Sequence, residues 1–228
     1  MIKEKELKFF EKVLDIYAPS LWQVEEDDLD GEDDLRYALE KVFEDSSFEI
    51  CSGASRLAIV FPEQDWVIKM NIDGHMMFRE EYDEETCEYY YDDEDFIKEV
   101  LEEDYCKLEY DNYKKAEELG LEKFFAETIY LGNTRDGKRI WLQEKVIPVS
   151  DESLSRPVSE NSKTKAKEMS KYIDKEWLGR CIDLYGEEKT REMLNFNNKI
   201  NNDVHNGNYG FTIGDDEPKF LDYCGYYG

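Results

Sequence analysis

The chain has 228 residues, 40% of them apolar and 14% aromatic, which is enough to bury a substantial core in one large domain or two small lobes. Its 56 acidic side chains face only 29 basic ones, for a net charge of -27. That balance argues against the Lys/Arg stripe with which nucleic-acid binders displace counter-ions, and it points to a basic partner or to solubility alone. The five cysteines, Cys51, Cys87, Cys106, Cys181 and Cys224, are odd in number and include no Cys-x-x-Cys pair, so neither a disulfide framework nor a thiolate zinc site is expected. With no apolar signal core at the N-terminus and no run of membrane-spanning length, the expectation is a cytoplasmic protein without membrane or direct nucleic-acid contacts.

Leu7, Phe10, Leu14 and Tyr17 recur at helical spacing, and Ala18-Pro19 stops the pattern. A second helix is predicted from Leu35, Ala38, Leu39, Val42 and Phe43, behind an Asp-rich start that suits a helix N-terminus. Residues 1–47 thus form an N-terminal helical extension. Phe48 to Cys51, Arg56 to Phe61 and Trp66 to Met70 are short β-branched or aromatic runs divided by turn residues, which predicts a three-stranded antiparallel meander. Residues 73–104 are dominated by Asp, Glu and Tyr, and like charges there are expected to discourage compact packing. Next comes a helix with Tyr105, Leu108, Asn112, Ala116 and Leu119 on one face and Gly120 as its stop. Phe124 to Leu131 and Ile140 to Val146 then flank a polar hairpin turn. Ser150 to Lys167 reads as a surface loop, Met169 to Leu184 and Glu187 to Ile200 as helices, and Tyr209 to Ile213 with Lys219 to Asp222 as a final hairpin.

Two patterns carry chemistry. Val67-Ile68-Lys69 sets a lysine at the end of the third strand, after the small-residue turn Ser52-Gly53-Ala54-Ser55; in isolation, a lysine there is usually a solvated side chain. Near the C-terminus, Asp203 is followed five residues on by Asn208, and Asp222 stands fourteen residues further along, at the end of the hairpin. A loop aspartate can accept a hydrogen bond from a hydroxyl substrate, while Asn208 and Asp222 can supply oxygens to Mg²⁺. The plain alternative is a tight turn built from Asp203, Asn206, Gly207 and Asn208. His205, with no Cys or second His nearby, reads as a hydrogen-bonded structural residue rather than a metal ligand.

The order Lys69, Asp203-Val204-His205-Asn206-Gly207-Asn208, Asp222 resembles the aminoglycoside and choline phosphotransferase branch of the protein-kinase-like superfamily, and small kinase-like proteins of phage genomes. The resemblance runs from about Phe48 to the C-terminus. It implies an α+β, two-lobed protein-kinase-like fold, with an antiparallel N-lobe sheet at 48–147 that holds the acidic insertion 73–104, and a truncated, mainly helical C-lobe at 148–228. It implies ATP and Mg²⁺ as cofactors, Asp203 and Lys69 as catalytic residues, and Asn208 and Asp222 as metal ligands. Nucleotide contacts would come from Ser52, Gly53 and Ser55 of a shortened phosphate loop, from Lys69, and from Glu144 and Val146 of the adenine-binding hinge. Glu109 would be the helix glutamate paired with Lys69, with neighbouring acids as alternatives.

The sequence also departs from that pattern. Asn201-Asn202 replaces the usual His-Gly, the phosphate loop has Gly53 alone, and only six residues follow Asp222, so no activation segment or peptide-docking surface of the usual kind is expected. Two functions follow as expectations. One is a phosphotransferase acting on an unknown hydroxyl acceptor. The other is a non-catalytic, kinase-shaped acidic protein, of phage origin, that occupies the basic nucleic-acid groove of a host protein through the runs Glu25 to Asp34 and Glu80 to Asp104.

Overall fold

The computed structural model describes residues 2–25, 28–83, 88–151, 157–200 and 204–224, and Asp203 and Cys87 lie outside them. Helix α1 (Glu4–Phe10) continues as a 3-10 turn to Asp15, placing Phe10 and Val13 inside and ending before Pro19. Strands β1 (Trp22–Glu25) and β2 (Asp28–Asp30) lead into α2 (Glu32–Val42), whose first turn carries Glu32, Asp33 and Asp34, where the helix dipole favours negative charge. Gly31 makes the entry possible: its φ is 90°, and a Cβ there would lie 2.2 Å from the Ser20 carbonyl oxygen. Strands β3 (Glu49–Ser52), β4 (Arg56–Val60) and β5 (Trp66–Asn71) form the expected antiparallel meander.

The acidic segment departs from expectation. Gly74–Asp83 and Glu88–Val100 are strands β6 and β7 of one long antiparallel hairpin, in a sheet of order β2-β1-β6-β7. Its Phe and Tyr content favours extended backbone, and the register sets Phe78 opposite Phe96 and Tyr82 opposite Tyr89, so strand propensity and ladder hydrogen bonds prevail over like-charge repulsion.

Helix α3 (Tyr105–Glu118) starts at Asp104, whose side chain accepts the Lys107 backbone N–H, and stops at Gly120, with φ 64°. Its buried face is Cys106, Glu109, Asn112, Tyr113 and Ala116, whereas the expected face included Leu108 and Leu119, and Leu119 is exposed. The helix is rotated because it buries Glu109, a residue that hydrophobic periodicity cannot count. Strands β8 (Thr128–Asn133) and β9 (Arg139–Glu144) complete a five-stranded antiparallel sheet of order β3-β4-β5-β9-β8. After β10 (Val146–Pro148) the expected loop 150–167 is helical in its second half, since Ser159 accepts the Ser162 N–H and caps α4 (Glu160–Met169). Asp174 caps α5 (Lys175–Tyr185), α6 spans Glu187–Ile200, and β11 (Tyr209–Thr212) pairs with both β10 and β12 (Pro218–Phe220).

The described residues therefore form an α+β structure of six helices and three sheets in which every strand pair except β1 with β6 is antiparallel. None of the helices described is long and apolar enough to cross a membrane. Two cores hold the structure together. In one, Leu35, Leu39, Phe10 and Phe43 from the N-terminal helices pack on Leu57, Ile59, Ile68, Met70 and Leu142 of the five-stranded sheet. A cluster of Phe9, Phe10, Phe43 and Phe61 rings at edge or tilted angles closes it, with centroids 4.8 to 5.9 Å apart. In the other, α5 and α6 enclose Phe125, Phe220 and Tyr223, and the Trp177 indole donates to the Gly210 carbonyl at 2.7 Å. The strand period of two separates the faces of β5: Ile68 and Met70 enter the first core, while Lys69 points the other way, towards α3.

Candidate active site

Lys69 sits in the middle of the five-stranded sheet, opposite Ala58 on β4 and Trp141 on β9, and is nearly buried at 7% exposure. Its ammonium donates to both Glu109 carboxylate oxygens, at 2.9 and 2.7 Å, and to the Leu221 carbonyl at 3.3 Å. Glu109 is fully enclosed by α3 and the sheet. Such a pair persists away from water because each charge meets its partner twice and the ammonium finds a third acceptor.

Arg56, the first residue of β4, makes the second ion pair of the site. Its Nη2 donates to both oxygens of Asp222, at 2.7 and 2.6 Å, and its Nη1 lies 3.5 Å from Glu109 and donates to the Cys224 thiol. Burial works against the guanidinium charge, but Asp222 and then Glu109 outweigh it and hold the group above its ordinary range. Burial also pushes the Cys106 thiol up, by more than Arg56 draws it down, so Cys106 remains a neutral packing group.

The backbone brings the C-terminal residues to this point. The Asn208 carbonyl accepts the N–H groups of Leu221 and Asp222, at 3.0 and 3.4 Å, which sets the two proposed metal ligands side by side. Tyr223 anchors the next position: its hydroxyl reaches Ala126 and Thr128 at 2.7 Å, and its carbonyl accepts from Asn112 on α3. His205 is placed as expected, with Nδ1 accepting the Gly207 N–H at 3.0 Å.

A cleft of about 430 Å³ opens between the β3–β4 turn and this C-terminal segment. Ser52, Gly53, Ser55, Lys69, Asn208 and Asp222 all line it. The turn is closed by the Gly53 N–H donating to the Arg56 carbonyl at 2.8 Å. Glu109 stands behind Lys69 rather than in the cleft wall. Glu144 and Val146 are not among the lining residues; Glu144 instead receives Lys219 at 2.6 Å, and its own N–H donates to the Glu127 carbonyl. Asp203 belongs to the stretch outside the described residues.

In the sequence Arg56 reads only as the start of a strand and Cys224 as one of five scattered cysteines. No local pattern marks either one for the site, since the contacts that join them to each other and Arg56 to Asp222 span more than 160 positions. The carboxylates of Glu109 and Asp222 and the Cys224 sulfur come within 4.8 Å of one another, and Arg56 is bonded to that group. The cation that these groups hold is the Arg56 guanidinium. The amide oxygen type of Asn208 and the carboxylate of Asp222 are hard donors suited to Mg²⁺, whereas the thiol is not.

Compared with protein-family models, with curated proteins and with solved structures, the chain matches none.

The site's electrostatics give a direct stability prediction. Glu109→Gln leaves the buried Lys69 ammonium without a carboxylate, while Arg56 keeps Asp222, and is expected to lower unfolding stability by about 3–5 kcal/mol, read from urea denaturation. Lys69→Met combined with Glu109→Leu should recover much of that loss; a Glu109→Gln protein as stable as wild type would show that the pair does not form.

Proposed function

We propose that the chain is an ATP- and Mg²⁺-dependent phosphotransferase built on a compact two-lobed kinase-like fold, transferring the γ-phosphate to a hydroxyl acceptor. The observation that carries the reading is Lys69, held from behind by buried Glu109, lining the same cleft as the Ser52–Ser55 turn, Asn208 and Asp222. Phosphoryl transfer asks the protein mainly for position and charge, and a strand lysine oriented by a helix glutamate is the kinase arrangement for holding phosphates. The lysine here lies on the third strand of the five-stranded sheet, and the glutamate lies on the next helix. In this reading the first core belongs to the N-lobe and the second to the C-lobe, with the cleft between them.

The roles follow from chemistry. Lys69 neutralises phosphate oxygens, and Glu109 keeps its ammonium fixed in direction. The backbone of the Ser52–Ser55 turn approaches the phosphates closely, because Gly53 carries no side chain on the cleft. Asn208 and Asp222 would hold Mg²⁺, which when bound draws charge off the phosphates. Asp203, five positions before Asn208, is the residue proposed to accept the hydrogen bond of the acceptor hydroxyl.

The test is thermal unfolding of wild type and Asp222→Ala with ATP, with and without Mg²⁺. A ligand at 100 times its dissociation constant adds about 2.7 kcal/mol of native stability, on the order of 5–10 °C for a chain of this size. The expected outcome is a magnesium-dependent rise in wild type that the variant lacks. No rise in wild type would remove the nucleotide reading.

A second reading draws on the β6–β7 hairpin. Fourteen acids and two bases lie between Arg79 and Asp104, and β7 is the edge strand of its sheet. Carboxylates spaced along an extended ladder offer a basic protein a phosphate-like surface. On this reading the chain competes with DNA for a histone in a salt-sensitive manner, and Asp92→Asn, Asp93→Asn, Glu94→Gln and Asp95→Asn together abolish the competition. Competition unaffected by these changes would count against the hairpin as the surface.

A further inference from the structure

The Arg56–Asp222 pair bears directly on how the proposed metal site fills. Asp222 is the carboxylate assigned to Mg²⁺, yet both of its oxygens are engaged by one guanidinium, at 2.7 and 2.6 Å. Arg56 also reaches Glu109 at 3.5 Å and the Cys224 thiol, so it touches all three of the clustered acidic and thiol groups. Its side chain is only 11% exposed, which strengthens the pairing over that of a surface bridge. A metal ion approaching Asp222 therefore has to displace a preorganised cation.

Relief is available from the ligand itself. Arg56 ends the Ser52–Ser55 turn and lines the same cleft as Lys69, within reach of any anion that enters there. A guanidinium fork suits phosphate as well as carboxylate. Lys69 cannot substitute as the partner of Asp222, because its three hydrogen bonds go to Glu109 and Leu221. Among the described residues, the charges of Lys69 and Arg56 are matched by those of Glu109 and Asp222, and adding a metal alone would leave Arg56 facing a second positive charge.

Resting on the phosphotransferase reading, we infer that Arg56 is an internal counter-ion that keeps Asp222 from divalent metal until a nucleotide phosphate takes the guanidinium. Metal and nucleotide then bind cooperatively because the phosphate removes Arg56 from the carboxylate as the metal arrives. Coupling between two ligands is reciprocal, so each raises the affinity of the other by the same factor.

The experiment is a Mn²⁺ titration without nucleotide, followed by water-proton relaxation, on wild type, Arg56→Gln, Arg56→Lys and Arg56→Gln combined with Asp222→Asn. Arg56→Gln is expected to bind Mn²⁺ on the order of tenfold more tightly than wild type. Arg56→Lys keeps the charge but loses the fork, so it should gain less, and it decides the matter if the glutamine variant does not fold. The added Asp222→Asn change should cancel the gain. Unchanged affinity in the folded Arg56 variants, or a gain that survives Asp222→Asn, overturns the inference. A stabilising response of wild type to MgATP without any Arg56 effect would remove the counter-ion and leave the phosphotransferase. An Arg56 effect without any ATP response would do the reverse.

Discussion

Three nearly buried charged side chains, Lys69, Glu109 and Arg56, and Asp222 beside them at the cleft, constrain everything around them. Leaving one of the three buried charges alone costs several kcal/mol, so the elements that carry them have to meet accurately. Strand β4 brings Arg56, β5 brings Lys69, α3 brings Glu109, and the segment after β12 brings Asp222. The rotation of α3 away from its most apolar face follows from this demand. So does the long reach of the C-terminal segment, which the Tyr223 hydroxyl fastens to Ala126 and to Thr128 of β8, while the Asn208 carbonyl holds Leu221 and Asp222 against the preceding loop. The interactions that stabilise the junction are thus the same ones that the proposed phosphotransferase would use for phosphate and metal.

The charge of the whole chain sets a second condition. With a net charge of -27, the surface repels an anionic nucleotide at long range. Within a Debye length of about 8 Å, however, local groups dominate, and Lys69 and Arg56 are concentrated in one cleft. The acids gather elsewhere, on the β6–β7 hairpin and at the start of α2. The paired charges of the cleft and the acidic flank lie on different residues, so the two functional readings do not compete for the same ones.

Much of this was legible in the sequence wherever the signal is local. The meander, the β8–β9 and β11–β12 hairpins and the bounds of α6 follow from alternation, turn residues and helical spacing, and the structure places them close to those positions. Pairing of Lys69 with Glu109 was anticipated only through the family resemblance, since no spacing rule joins a strand to a helix forty positions on. Three features escaped. The acidic hairpin did so because its dense like charges mask the strand propensity of its aromatic residues, and α4 because its cap at Ser159 lies in a polar stretch that resembles a loop. The Arg56–Asp222 contact escaped because it exists only after the two ends of the chain have folded together.

The proposed function depends on whether the cleft binds the phosphates of a nucleotide between Lys69 and a metal on Asn208 and Asp222. A crystal structure of the protein with Mg²⁺ and a non-hydrolysable ATP analogue tests it most directly. The expected result is the triphosphate under the Ser52–Ser55 turn, the metal on Asn208 and Asp222, and the Arg56 guanidinium moved from the carboxylate to a phosphate. A nucleotide bound elsewhere, or bound here with the Arg56–Asp222 pair intact and no metal on Asp222, would contradict it.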